Sequence, residues 1–319
     1  MDDAGNFHRR ALLTGAAAAG ALGATSALAQ IPNLSGFTNN ANLNKALDLA
    51  GQVGNVVAGM KISEVDEIAM GTGYYDRFID QSGGYYNDRA AQAALRRFAE
   101  PLIGTSKRAA LQWDVSLLDN ETVNAWALPG GKLGVHKGLI RYTATPEELA
   151  AVLSHEIGHA ELRHGVAQIK NKSFVQGMGG IAKQQIVERV GRSGAGAAGA
   201  FLTREVLSAF EGPIYDMITS GYSQNLEYAA DGHIVGLFDT VGFDTSRATV
   251  FYNTMLRLVP PGTKATTSLY ATHPGTKDRI TRLQKLIAAD KAKSSPAASH
   301  PGWAELKQAF PTRTRFRLT

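Results

Sequence analysis

The stretch that most narrows what this chain can fold into runs from Thr145 to His164, TPEELAAVLSHEIGHAELRH. Thr145 can cap a helix, Pro146 suits its first position, and Glu148 completes a T-x-x-E capping box. Leu149, Val152, Leu153, Ile157 and Ala160 follow at helical spacing and form one apolar stripe. The stripe has to lie against a core, yet the helix also carries His155 and His159 four residues apart, with Glu156 beside the first. On a helix the two imidazoles share a face and can bind one metal ion. Glu156 is rotated about 100° from His155, because a helix has roughly 3.6 residues per turn. It can therefore reach a water that the metal activates rather than the metal itself. A solvated helix face that happens to carry His and Glu is the competing reading.

Two histidines need a third ligand. The chain has no cysteine, which removes thiolate ligands, disulfides and a cysteine nucleophile. His164 is the nearest histidine, but a metzincin pattern needs Gly and His three and six residues after His159, where this chain has Leu162 and Gly165. His164 then reads as a polar residue at the helix C-terminus, favoured by the dipole. Glu227, in LEYAADG, is the alternative. It lies mid-helix among apolar neighbours, where an unpaired carboxylate is costly, and Asp231 shares its face four residues on. Two carboxylates on a half-buried face repel unless a cation sits between them or one has a basic partner. A zinc site of His155, His159 and Glu227, with Asp231 orienting a histidine, resolves the conflict. The alternative is again a solvated face.

The rest of the chain predicts an α+β fold, mostly helical. Ala90 to Phe98 is an amphipathic helix ended by Pro101. WDVSLLD and VNAWAL are short β-type runs, and KLGVHKGLI, after the turn at 129–131, is a third strand or a strand-to-helix segment. Together they predict a small antiparallel sheet. A helix capped by Ser223 carries Glu227, another spans 246–258 before Pro260 and Pro261, and HPGTKDRITRLQKLIAADK begins with a turn and becomes helical. GAGAAG at 194–199 matches G-x-G-x-x-G, but no strand precedes it, so it reads as a flexible connection.

Composition limits the partners. The 319 residues, 44% of them hydrophobic, can bury a sizeable core in one large domain or two small ones. The net charge of +5 is spread along the chain without a dense Lys/Arg block, so no nucleic-acid partner is expected. Residues 1–29 read as an export signal: Arg9 and Arg10 precede an uncharged Ala/Gly-rich run, and Ala27 and Ala29 form a small-x-small cleavage pattern. The paired arginines fit a twin-arginine signal, and an uncleaved anchor is the competing reading. No later stretch is apolar enough to span a membrane, so the mature chain is expected without a span and in the periplasm. The expected organisation is a signal at 1–29, a domain with an N-terminal helical part and the candidate zinc site at 30–290, and a C-terminal extension at 291–319. WAELKQAF in that extension suits docking on the domain or on a partner.

NAWALPGGKLGVHKGLI (124–140), ELAAVLSHEIGHAELRH (148–164), EYAAD (227–231) and HPGTKDRI (273–280) occur in an order that resembles the HtpX-like and CAAX prenyl-protease family of zinc metallopeptidases, in its soluble exported form. The resemblance implies a zincin-like fold with one zinc ion per chain on His155, His159 and Glu227. It makes Glu156 the general base and acid. It puts His273, before Pro274, near the developing oxyanion, with Asp231 supporting it and Arg279 anchoring its loop. Asn124, Ala125, Trp126 and Ala127 would lie on an edge strand that binds extended substrate through its main chain. Trp126 stands where the family usually has Phe. The membrane-spanning segments of the HtpX and prenyl-protease members are missing, which argues against prenylated or intramembrane substrates. The expected function is a periplasmic zinc endopeptidase acting on misfolded or unassembled envelope proteins, alongside envelope assembly machinery. Two alternatives stand beside it: a chaperone-like binder with latent proteolysis, in which 171–221 forms a lid or plug, and a small-peptide or amide hydrolase.

Overall fold

The structure, a computed structural model, describes residues 62–176, 214–215, 220–258, 273, 276–290 and 299–312. The export signal, the start of the N-terminal helical part up to residue 61, GAGAAG, most of the lid segment and the Pro260–Pro261 stop lie outside the described residues.

Helix α1 (Glu64–Gln81) starts at a reciprocal cap: Ser63 Oγ accepts from Asp66 N at 3.1 Å, and Asp66 Oδ2 accepts from Ser63 N at 3.2 Å. Asp88 caps α2 (Arg89–Gly104) by accepting from Ala90 N and Ala91 N. Pro101 does not end α2 as expected; the helix runs three residues past it. The lost N–H forfeits one intrahelical bond, while fully buried Leu102 and partly buried Ile103 tie the last turn to the core.

Strands β1 (Asp114–Leu118), β2 (Ala125–Leu128) and β3 (Lys132–His136) form one sheet in the order β1-β3-β2. β2 and β3 pair antiparallel across the turn at Gly130 and Gly131, both at positive φ. β1 pairs with β3 in parallel, so the sheet is mixed and not antiparallel as expected. Consecutive strands do alternate in direction, but β3 enters between the other two. The segment 119–124 is long enough to carry the chain past the middle position, whereas the tight hairpin holds β2 against β3. The outer edge of β1 is closed at Leu117 by the Gln92 amide, which accepts from its N–H at 2.9 Å and donates to its C=O at 2.8 Å.

After β3 come α3 (Lys137–Tyr142), α4 (Pro146–Glu161), α5 (His164–Gln176), α6 (Gln224–Val241), α7 (Val250–Leu258), α8 (Thr276–Ala289) and α9 (Trp303–Ala309). Glu148 accepts from Thr145 N at 3.1 Å at the start of α4. Almost the whole of α4 is buried, packed against α6, β2, α2 and α7. Its polar face is therefore not solvated; it faces α6 inside the molecule. α9 places Leu306 and Phe310 in the same core, and Lys307 Nζ donates to Ile140 O and Thr143 O at 2.9 Å, closing the end of α3. The amphipathic piece of the tail thus packs into that core. Among the described residues, no helix is long and apolar enough to cross a membrane.

Candidate active site

Gly158 lets α4 and α6 approach closely, since a Cβ there would stand 3.0 Å from Ala230 O. Across this contact α4 presents His155, Glu156 and His159, and α6 presents Glu227 and Asp231; all five are buried. His155 Nε2 lies 3.0 Å from His159 Nε2 and 3.3 Å from Glu227 Oε2, and His159 Nε2 lies 3.5 Å from Glu227 Oε1. His273 joins them, its Nδ1 3.1 Å from His155 Nε2 and 3.0 Å from Glu227 Oε2. The four side chains offer donor atoms within 4.8 Å of one another.

This set fits a metal ion. Neighbouring donors of a tetrahedral ion with bonds of about 2.0–2.1 Å stand about 3.3 Å apart, which the observed separations bracket. His155 Nδ1 lies 3.0 Å from Asp231 Oδ1, so the ring donates there and leaves Nε2 bare. Bare nitrogens 3.0 Å apart repel unless a cation lies between them. Burial and the Arg279 charge lower the His155 pKa, yet the Asp231 and Glu227 carboxylates override both and raise it to about 9. The pocket asks for positive charge, which a proton or a metal ion supplies. Burial alone would raise the Glu227 carboxyl, but His273 and His155 hold it far below the ordinary range. No cysteine is available to compete, so the donors are imidazole and carboxylate, a set suited to zinc.

Glu156 Oε1 is buried without a hydrogen bond, 3.3 Å from His273 Nε2. Burial pushes its carboxyl up, toward the range in which a carboxylate can both take and return a proton. Arg279, from α8, is the buried cation of the site. Its Nε and Nη2 donate to Asp231 Oδ2 and Oδ1 at 2.8 and 2.7 Å, and its Nη1 lies 2.7 Å from Glu227 Oε2 and 3.2 Å from His273 O. It therefore holds both carboxylates of α6 and the backbone of His273. Burial opposes ionisation of Asp231, but Arg279 and His155 hold its carboxyl low.

On β2, His136 N donates to Asn124 O at 3.0 Å, and the alternation of an antiparallel ladder then turns the N–H and C=O of Ala125 and Ala127 away from β3. The Trp126 side chain lies on the face opposite α4. It packs over Gly134 and beside Tyr75 and Phe78 of α1, with its N–H on Ser82 Oγ at 3.2 Å. Its ring supports the strand, and only its backbone lies along the sheet edge.

His164 departs from expectation. It is the first residue of α5, not the end of the histidine helix, and its Nδ1 lies 2.9 Å from His159 Nδ1. Two tyrosines were not anticipated. Tyr222 stacks on His159 at 3.9 Å between ring centres, and Tyr252 of α7 donates to Asp231 Oδ1 at 3.2 Å. Tyr222 directly precedes the cap of α6, which is the one signal that could have marked it.

Residues 89–287 match peptidase family M48. The chain is 33% identical over 119 residues to the beta-barrel assembly-enhancing protease of Yersinia pestis, covering 37% of this chain and 24% of that protein. It is 25% identical over 205 residues to the Escherichia coli (strain K12) protein of the same name, covering 62% and 39%. It is 24% identical over 218 residues to the mitochondrial metalloendopeptidase OMA1 of Schizosaccharomyces pombe, covering 67% and 58%. The matches thus span well under half of the two bacterial relatives. With a family match over most of its length, and a buried His/Glu donor set on facing helices that could hold a metal ion, the chain belongs to peptidase family M48.

Proposed function

We propose that this chain is a zinc endopeptidase of the bacterial periplasm that cleaves misfolded or unassembled envelope proteins. The observation that carries the reading is the trio His155, His159 and Glu227 at 3.0–3.5 Å, with Glu156 beside it, its buried Oε1 without a hydrogen bond. The three would hold the ion, and Asp231 would orient His155 through Nδ1. Zinc there supplies Lewis acidity to a carbonyl and lowers the pKa of water toward neutrality. Glu156 takes the proton of the attacking water and delivers it to the departing amine. His273 faces the developing oxyanion, and Arg279 holds its backbone. An extended substrate adds to the outward N–H and C=O groups of Ala125 and Ala127, a recognition with little sequence demand.

The reading at 1–29 of an export signal supports the periplasm, and the names of the two bacterial relatives support envelope proteins as substrates and assembly machinery as a partner. The four matching stretches support a place beside the soluble exported HtpX-like members. One observation favours latent, chaperone-like binding as a second reading: His273 Nδ1 stands as close to the donors as they stand to each other.

The test is cleavage of unfolded casein and of a stable folded protein before and after chelation. The reading expects casein to be cleaved in preference, activity to vanish with the chelator, and one equivalent of zinc to restore it. Undiminished cleavage after complete metal removal contradicts it. Faster turnover in His273→Ala moves the assignment to the latent form.

A further inference from the structure

His164 lies outside the trio proposed to hold the metal, yet it is only 5% exposed. Its place is set by an unusual turn. α4 ends at Glu161, and Arg163 then takes a left-handed φ of 56°. Among the described residues it is the one non-glycine residue at positive φ. Such a residue is held by its surroundings: Arg163 Nη2 donates to Ile62 O at 2.7 Å, and its Nε pairs with the buried Glu67 carboxylate at 2.7 Å. The turn brings the chain back as α5 and sets His164 Nδ1 2.9 Å from His159 Nδ1.

The two nitrogens cannot both be bare at that distance. If His164 donated, His159 would carry its own proton on Nε2, which lies 3.0 Å from His155 Nε2 and 3.5 Å from Glu227. That tautomer could not ligate. If His159 donates, its Nε2 lone pair faces the other donors. The parallel Tyr222 ring, inclined by only 15°, fixes the plane of the imidazole. His155 gets the same service from a carboxylate, Asp231, which adds negative charge; a neutral imidazole orients without adding any.

We propose that His164 is the positioning residue of His159: its Nδ1 accepts the His159 Nδ1 proton and so holds the tautomer that can bind zinc. The inference rests on the metal site proposed above. It gives a role to the third histidine of HEIGHAELRH, which lies out of register for ligation.

The experiment measures zinc affinity of the full chain by competition with a chromophoric chelator, for wild type and for His164→Leu, His164→Asn and His164→Gln, with unfolding of each metal-free chain alongside. Asn places an amide oxygen where Nδ1 stood; Gln places it where Nε2 stood. Removing an outer partner of a metal-binding histidine costs roughly 10–100-fold in metal affinity. Weakening of that size in Leu and Gln, with Asn close to wild type and unfolding of the metal-free chains alike, is the expected result. Should the Leu variant fail to fold, the contrast between Asn and Gln decides. Equal affinity in all four chains, or an Asn variant as weak as Gln, overturns the positioning role while leaving the site intact. A wild type without measurable zinc affinity overturns the site itself, and this inference with it.

Discussion

Asp231 Oδ1 has three partners, His155 Nδ1, Arg279 Nη2 and Tyr252 OH, at 3.0, 2.7 and 3.2 Å. Arg279 and His155 keep the Asp231 carboxylate ionised, as His273 and His155 do for Glu227, and Arg279 pairs with both. Breaking a buried ion pair at one partner leaves an uncompensated charge and costs about 3–5 kcal/mol. Arg279→Gln is therefore expected to lower stability by roughly that amount, and Arg279→Lys to recover little, since an ammonium cannot replace the two-point grip on Asp231. Urea unfolding of the metal-free chains checks this; a Lys variant as stable as wild type contradicts it. Glu227 and Asp231 were legible in the sequence because carboxylates on an apolar helix face demand an explanation. Tyr252 was not, because an aromatic residue in an amphipathic helix looks like any core side chain. The contact of His164 was not, because nothing in an arginine signals a left-handed turn.

The elements of the site meet where α4 and α6 cross. Besides Ala230 O at 3.0 Å, an added Cβ at Gly158 would meet Ala230 Cα at 3.2 Å and His233 Cβ at 3.4 Å. Overpacking such a contact typically costs 1–3 kcal/mol. Gly158→Val is expected to lose about that much and, by pushing α6 outward, to weaken zinc affinity even where the chain still folds. Calorimetric unfolding and chelator competition on the same samples check both; a variant that loses stability but binds zinc as wild type does contradicts the link. At this scale the sequence was most informative about helices with local signals, such as the starts of α4 and α6. It was least informative about the order of the strands. Their directions follow from the turns, but the entry of β3 between β1 and β2 depends on which partner offers the better packing, and that is a long-range property.

For the molecule as a whole, the same burial that encloses the site makes folding sensitive to acid. His136, at the junction of β3 and α3, lies 2.7 Å from Thr122 Oγ1 through Nδ1, while its Nε2 has no hydrogen bond. Burial pushes its pKa down from 6.5 to about 4. The folded value lies below the unfolded one, so the associated stability is fully present above pH 6.5 and is lost as the pH falls through 4. At 1.36 kcal/mol per unit this is roughly 3 kcal/mol. Unfolding midpoints of wild type and His136→Leu between pH 7 and 4 should diverge in slope, with the variant flatter; parallel slopes contradict the assignment. The C-terminal helix belongs to the same whole. Its amphipathic pattern was readable, but its seat was not, because Leu306 and Phe310 complete a core whose other residues lie as far back as Ala91.

The central claim is that Glu156 moves the proton in a reaction carried by a buried His/Glu metal site. It is tested most directly by casein degradation with the zinc-loaded wild-type chain and its Glu156→Gln variant, with metal content measured on both. General-base catalysis contributes about 10²–10⁴-fold, so the variant is expected to keep its zinc and lose at least two orders of magnitude in rate. Equal cleavage by the two chains would contradict the account.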